Sequence, residues 1–153
     1  MIAHTSKQLV VFALAAFGLT SGALAEEAHS PRCNNETFKG AYGFTLNGWR
    51  IPDPAQPTHF ARAGVGRLVS DGRGNLIGTE TKSKNGLIVP VSITGTYQVN
   101  TDCTGAGHIV TTDPDEHDRN FNFTIVETGQ QVMAIQTDQG RAVTVIATKQ
   151  HGH

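Results

Sequence analysis

The chain has 153 residues, with 12 Lys and Arg against 13 Asp and Glu, for a formal net charge of −1. That length suits one domain, and a near-neutral balance without a basic stripe argues against a nucleic-acid binder. No apolar run reaches the ~20 residues that a membrane-spanning helix needs.

Met1 to Gln8 carries one positive side chain, Lys7, ahead of the apolar run Leu9–Leu19. Thr20-Ser21-Gly22 break that run, and Ala23-Leu24-Ala25 fit the small-x-small rule for cleavage. Together these parts read as a secretory signal peptide over residues 1–25. An uncleaved anchor is the alternative, but the run is too short to span a bilayer of ~30 Å. The processed protein then starts near Glu26, in the periplasm or outside the cell, and the loss of Lys7 moves its formal charge to −2. Both cysteines, Cys33 and Cys103, remain in it. An even count in an oxidising compartment favours a disulfide. Closing that loop of about 71 residues stabilises the fold by roughly 4 kcal/mol in the chain-entropy model. No C-x-x-C spacing supports a metal or redox pair instead.

Residues 26–37 form an N-terminal segment carrying Cys33, ahead of a single domain over 38–149. Within it, apolar residues recur with period two and the helical stripe is missing. Strand one reads Phe38 to Leu46, with Phe38, Tyr42, Phe44 and Leu46 on one face. Pro52, Pro54 and Pro57 make Asn47–Thr58 a loop, because proline removes a ladder donor. Strand two runs from Phe60 to Ser70. Asp71-Gly72-Arg73-Gly74-Asn75 turns the chain into strand three, Leu76–Ser83, and Asn85-Gly86 marks the next turn. Strand four alternates Val89, Val91, Ile93, Tyr97 and Val99 with polar residues. Strand five covers Gly105–Thr112. The polar run Asp113 to Asp118 reads as a solvated acidic turn. Strand six places Phe121, Phe123 and Ile125 on one face, strand seven covers Gln131–Thr137, and strand eight covers Arg141–Lys149. Residues 150–153 read as a loose tail.

Short connections require antiparallel neighbours. The pattern predicts an all-β fold, an eight-stranded antiparallel up-and-down barrel, with an open meander or a β-sandwich as the alternative. Strands one and eight are too apolar to make safe exposed edges, which favours closure.

Three stretches carry a resemblance: Gly40-Ala41-Tyr42-Gly43-Phe44, Asp71-Gly72-Arg73-Gly74-Asn75, and Gly95-Thr96-Tyr97-Gln98-Val99-Asn100-Thr101-Asp102-Cys103-Thr104-Gly105. On these the chain resembles a group of short exported bacterial β-proteins. Its overall plan is similar to calycin-like barrels, which include lipocalins, avidins and allene-oxide-cyclase-like proteins. The shared motifs are structural, the G-x-W start typical of lipocalins is missing, and no catalytic residue carries over.

A barrel of eight strands is just wide enough to be filled by side chains or to hold one small ligand. Tyr42, Phe44, Tyr97, Phe121 and Phe123 are the candidate lining of such an interior. Trp49, in the proline-rich loop with Arg50, is the candidate at its mouth. The same aromatics equally serve as a packed core. Glu80, Gln136 and His108 are the titratable or polar groups whose strand faces offer contact with a ligand. No Ser-His-Asp or Cys-His constellation is legible. The acidic turn lacks the spacing of a calcium loop, and His151 and His153 make a poor metal site on a tail. Asn35-Glu36-Thr37 and Asn122-Phe123-Thr124 match a glycosylation sequon by chance. No cofactor or metal is implied, and nothing indicates an oligomeric state. The leading reading is a non-catalytic barrel for a small apolar or amphipathic ligand. An isomerase or cyclase using the same cavity is the rival, and a structural or adhesive protein with a filled core is the third reading.

Overall fold

The computed structural model describes residues 32–53, 55–56 and 58–151. The expected signal segment, 1–25, lies outside them. Eight strands follow in chain order: β1 Gly40–Arg50, β2 Phe60–Ser70, β3 Asn75–Lys84, β4 Leu87–Val99, β5 Thr104–Thr111, β6 Asp118–Val126, β7 Gln131–Gln136 and β8 Arg141–Lys149. Each pairs antiparallel with the next, and β8 returns to β1 from Tyr42↔Lys149 to Arg50↔Arg141. The sheet is a closed up-and-down barrel without an unpaired edge, which sets aside the open meander and the sandwich.

Strand one differs from its sequence reading at both ends. Phe38 ends a short 3₁₀ turn, Asn35–Phe38, and the strand starts at Gly40, where φ is +129°. At the other end β1 continues to Arg50, because Asn47–Arg50 finds partners on both flanking strands. The first proline after the strand begins is Pro52, so nothing before Ile51 prevents pairing.

The connections alternate between two poles. At one pole lie the N-terminal 3₁₀ turn and the β2–β3, β4–β5 and β6–β7 connections. At the other lie the loop 51–59 and the β3–β4, β5–β6 and β7–β8 connections. The first pole is plugged by Phe38, whose ring centroid sits 5.0 Å from those of Tyr42 and Tyr97 and 5.6 Å from that of Phe123. Such ring pairs add about 0.5–1.5 kcal/mol each beyond their area. The buried hydroxyls are matched. Tyr42 Oη donates to the Gly129 carbonyl at 2.8 Å, and burial, with Tyr97 adding, pushes its pKa up to about 12. Ser70 donates to Tyr97 Oη at 2.6 Å, which in turn donates to the Asn35 carbonyl at 3.2 Å. The Cys33–Cys103 disulfide ties the plug segment to the β4–β5 turn.

Ring size forces bare backbone nearby. A Cβ on Gly66 would collide with the Phe44 ring, and one on Gly105 with the Phe123 ring. Phe44 and Phe123 therefore each lie over a glycine of a neighbouring strand.

Candidate functional site

The barrel interior is not filled. A cavity of about 90 Å³ lies at its middle, with Phe44, Ile93, Tyr97, Ile109, Phe121 and Phe123 among its walls. All of its lining residues but two are apolar, aromatic or glycine; the two are Glu80 and Arg119. An apolar cavity of ~150 Å³ stays dry and admits benzene, so this void suits a guest smaller than that unless side chains shift.

Four of the expected lining residues, Phe44, Tyr97, Phe121 and Phe123, meet at this cavity. Tyr42 is fully buried but packs against the Phe38 plug instead. Trp49 does not reach the interior. It belongs to β1, is 50% exposed, and its ring lies 6.2 Å from that of His59. The alternation decides this: Tyr42, Phe44 and Leu46 point in, so residue 49 points out. Glu80 and Gln136 are buried, and Gln136 Nε2 donates to Asp138 Oδ2 at 2.8 Å. His108 faces outward, 44% exposed, with Nε2 at 3.1 Å from Asp118 Oδ1. It alternates with Gly107 and Ile109, which line the cavity.

Beyond the cavity, toward the second pole, the interior turns from apolar to charged. Arg119 Nη1 donates to Glu80 Oε2 at 3.2 Å, and both side chains are at most 2% exposed. Lys82 Nζ donates to Asp113 Oδ2 at 2.7 Å and Glu116 Oε2 at 2.8 Å. Lys84 Nζ reaches Asp113 Oδ1 at 3.0 Å and Asp115 Oδ2 at 2.8 Å. Arg62 Nε donates to Glu116 Oε1 at 2.9 Å, and Arg141 Nη2 lies 3.8 Å from the same oxygen. The β5–β6 turn is therefore not the solvated acidic turn its composition suggests. Asp113 is 0% exposed and Glu116 8%. Two bonds fold it inward: the Glu116 N–H donates to the Asp113 carbonyl at 3.1 Å, and the Thr111 hydroxyl donates to the Glu116 carbonyl at 2.9 Å. Burial alone would raise both carboxyl pKa values. The hydrogen bonds from Lys82 and, at Asp113, Lys84 outweigh it and hold both below the ordinary carboxylate range.

The sequence reading missed Arg62, Lys82, Lys84, Arg119 and Arg141 as interior residues. The signal was the same alternation carried to the strand ends. In β3 the face holding Leu76, Gly78 and Glu80 continues to Lys82 and Lys84, and in β6 the face of Phe121, Phe123 and Ile125 begins at Arg119.

The network leaves three buried polar atoms without a hydrogen-bond partner among the described residues: Glu80 Oε1, Arg119 Nη2 and Arg50 Nε. The first two belong to the only charged residues on the cavity wall. One offers an acceptor and the other a donor, a pair suited to a small polar head above an apolar body.

No protein-family model matches the chain, and no curated protein matches it. Among solved structures it is similar to a redesigned β-barrel, at 15% identity and a TM-score of 0.53, over 76% of this chain and 95% of that one. That likeness concerns the barrel fold. No helix among the described residues is long and apolar enough to cross a membrane.

Proposed function

We propose that this protein is an exported, non-catalytic barrel that binds one small apolar or amphipathic molecule in its central cavity. The observation that carries this reading is the Glu80–Arg119 pair on an otherwise apolar wall, with Glu80 Oε1 and Arg119 Nη2 both buried and lacking a hydrogen-bond partner among the described residues. A buried polar group without a partner costs about 1–3 kcal/mol. A guest bearing one donor and one acceptor relieves both atoms while its apolar part fills the void. The disulfide is in keeping with an oxidising compartment outside the cytoplasm.

Native mass spectrometry of the protein purified from its own host tests the reading. The expected spectrum shows a chain starting near Glu26 with an added mass that leaves on denaturation. Ala134 lines the cavity, and Ala134→Leu should fill it and abolish the added mass. A bare chain in both proteins, with no saturable binding by calorimetry of propionamide or isobutyramide, guests smaller than benzene that carry a donor and an acceptor on an apolar body, would overturn it.

A further inference from the structure

We propose that the second pole carries a separate binding site for a small oxyanion of the phosphate or sulfate class, built on Arg50, Arg62 and Arg141. The argument starts from register. Arg50 of β1 stands directly opposite Arg141 of β8, and Arg62 of β2 directly opposite Lys84 of β3. Like charges directly opposite each other destabilise a sheet. Four consecutive strands, β8, β1, β2 and β3, thus bring cations to one rim. The Lys84 side of that rim is compensated by Asp113 and Asp115. The arginine side is not. Arg62 and Arg141 share one oxygen of Glu116, at 2.9 and 3.8 Å. That carboxylate also serves Lys82 at 2.8 Å. Arg50 has no ion pair within 4.0 Å among the described residues, and its buried Nε has no hydrogen-bond partner.

Donor supply points the same way. Each guanidinium offers about five N–H donors in a planar fork. Among the described residues, the three together make two hydrogen bonds: Arg62 Nε to Glu116, and Arg141 Nη1 to the Gly140 carbonyl at 3.4 Å. Forks of this kind match the paired oxygens of a phosphate or sulfate. Burial and the charges of Arg50 and Arg62 all press against the charged form of Arg141, with only Glu116 and Asp138 opposing them. An anion seated between the arginines removes that repulsion. Arg141 is 15% exposed at its side chain, so the rim is reachable from solvent. The site is distinct from the central cavity, which does not count these three arginines among its walls.

Scanning calorimetry at fixed pH and ionic strength, with phosphate or sulfate replacing chloride, reads the site directly, because a ligand bound to the folded state raises Tm in a saturable way. The native chain should show that rise. Arg50→Gln should show an apparent affinity at least tenfold weaker. Should Arg50→Gln fail to fold, Arg50→Lys carries the test. It keeps the stem and the charge but loses the fork, and it should weaken the response about tenfold. Butyl phosphate separates a free ion from an anionic head group, and a rise with either that depends on Arg50 supports the site. No difference between chloride and these anions, or a response that both Arg50 variants retain in full, would overturn it.

Discussion

At the Phe38 pole the barrel is closed by ring edges, two tyrosine hydroxyls and a disulfide, whereas at the Arg50 pole the same eight strands are closed by charge. The Phe38 end works by area and shape. Its contacts are short of polar atoms, and those present are paired. The Arg50 end works by mutual compensation, and there the groups do not all find partners. A buried ion network adds little to stability over an apolar core of equal volume, but breaking it is costly. A barrel with one pole of each kind is held at one end by packing and at the other by charge compensation that leaves some polar atoms without hydrogen-bond partners among the described residues.

The largest expected effect comes from the charged pole. Glu116 is held by Lys82 and Arg62 and lies within 4.0 Å of Arg119 and Arg141. Glu116→Ala leaves three buried cations, Lys82, Arg62 and Arg119, and the partly exposed Arg141 short of an anion and should cost about 3–5 kcal/mol of unfolding free energy, read by urea denaturation. A loss under 1 kcal/mol would show that water reaches this pole freely. Phe38→Ala should cost about 3 kcal/mol through lost transfer energy and an unfilled space. The variants should differ in kind as well as size, since only Phe38→Ala enlarges the apolar interior.

Acid sharpens the contrast with a smaller perturbation. The folded-state pKa values of Asp113 and Glu116 are depressed. Their contribution is therefore present above the unfolded value of about 4 and is lost as pH falls below it toward the folded values. Tm should be flat from pH 7 to about 5 and fall below pH 4. Phe38→Ala should follow the native slope, and Glu116→Ala, which has lost one of the titrating groups, should fall less steeply. Parallel slopes for all three would remove the charged turn from the account of acid stability.

How much of this was legible beforehand differs between the poles. The apolar half was readable: Phe44, Tyr97, Phe121 and Phe123 declared their shared face by alternation alone, and turn residues such as Asp71 and Asn85 bounded the strands. The charged half followed the same rule but was obscured by a reasonable prior. Lys84, Arg141 and Arg50 sit at strand ends, where a charged side chain ordinarily reaches water. Only closure of the sheet turns those ends into an interior. Burial of Asp113 and Glu116 then depends on a turn that folds back over the mouth, through bonds between Asp113, Glu116 and Thr111. Local composition does not encode that direction.

Trp49 is the smallest and most diagnostic case. As the chain's single tryptophan, flanked by Arg50 at the charged pole, it suggests a binding residue by composition. Its place on the outer face, half exposed, assigns it none of the work of either pole. Trp49→Ser should change unfolding free energy by less than about 0.5 kcal/mol, as surface substitutions do. It should leave both guest binding in the cavity and the phosphate-dependent rise in Tm at native values. A loss of either would mean that the end of β1 rearranges when that ligand binds and brings Trp49 from the outer face to the mouth.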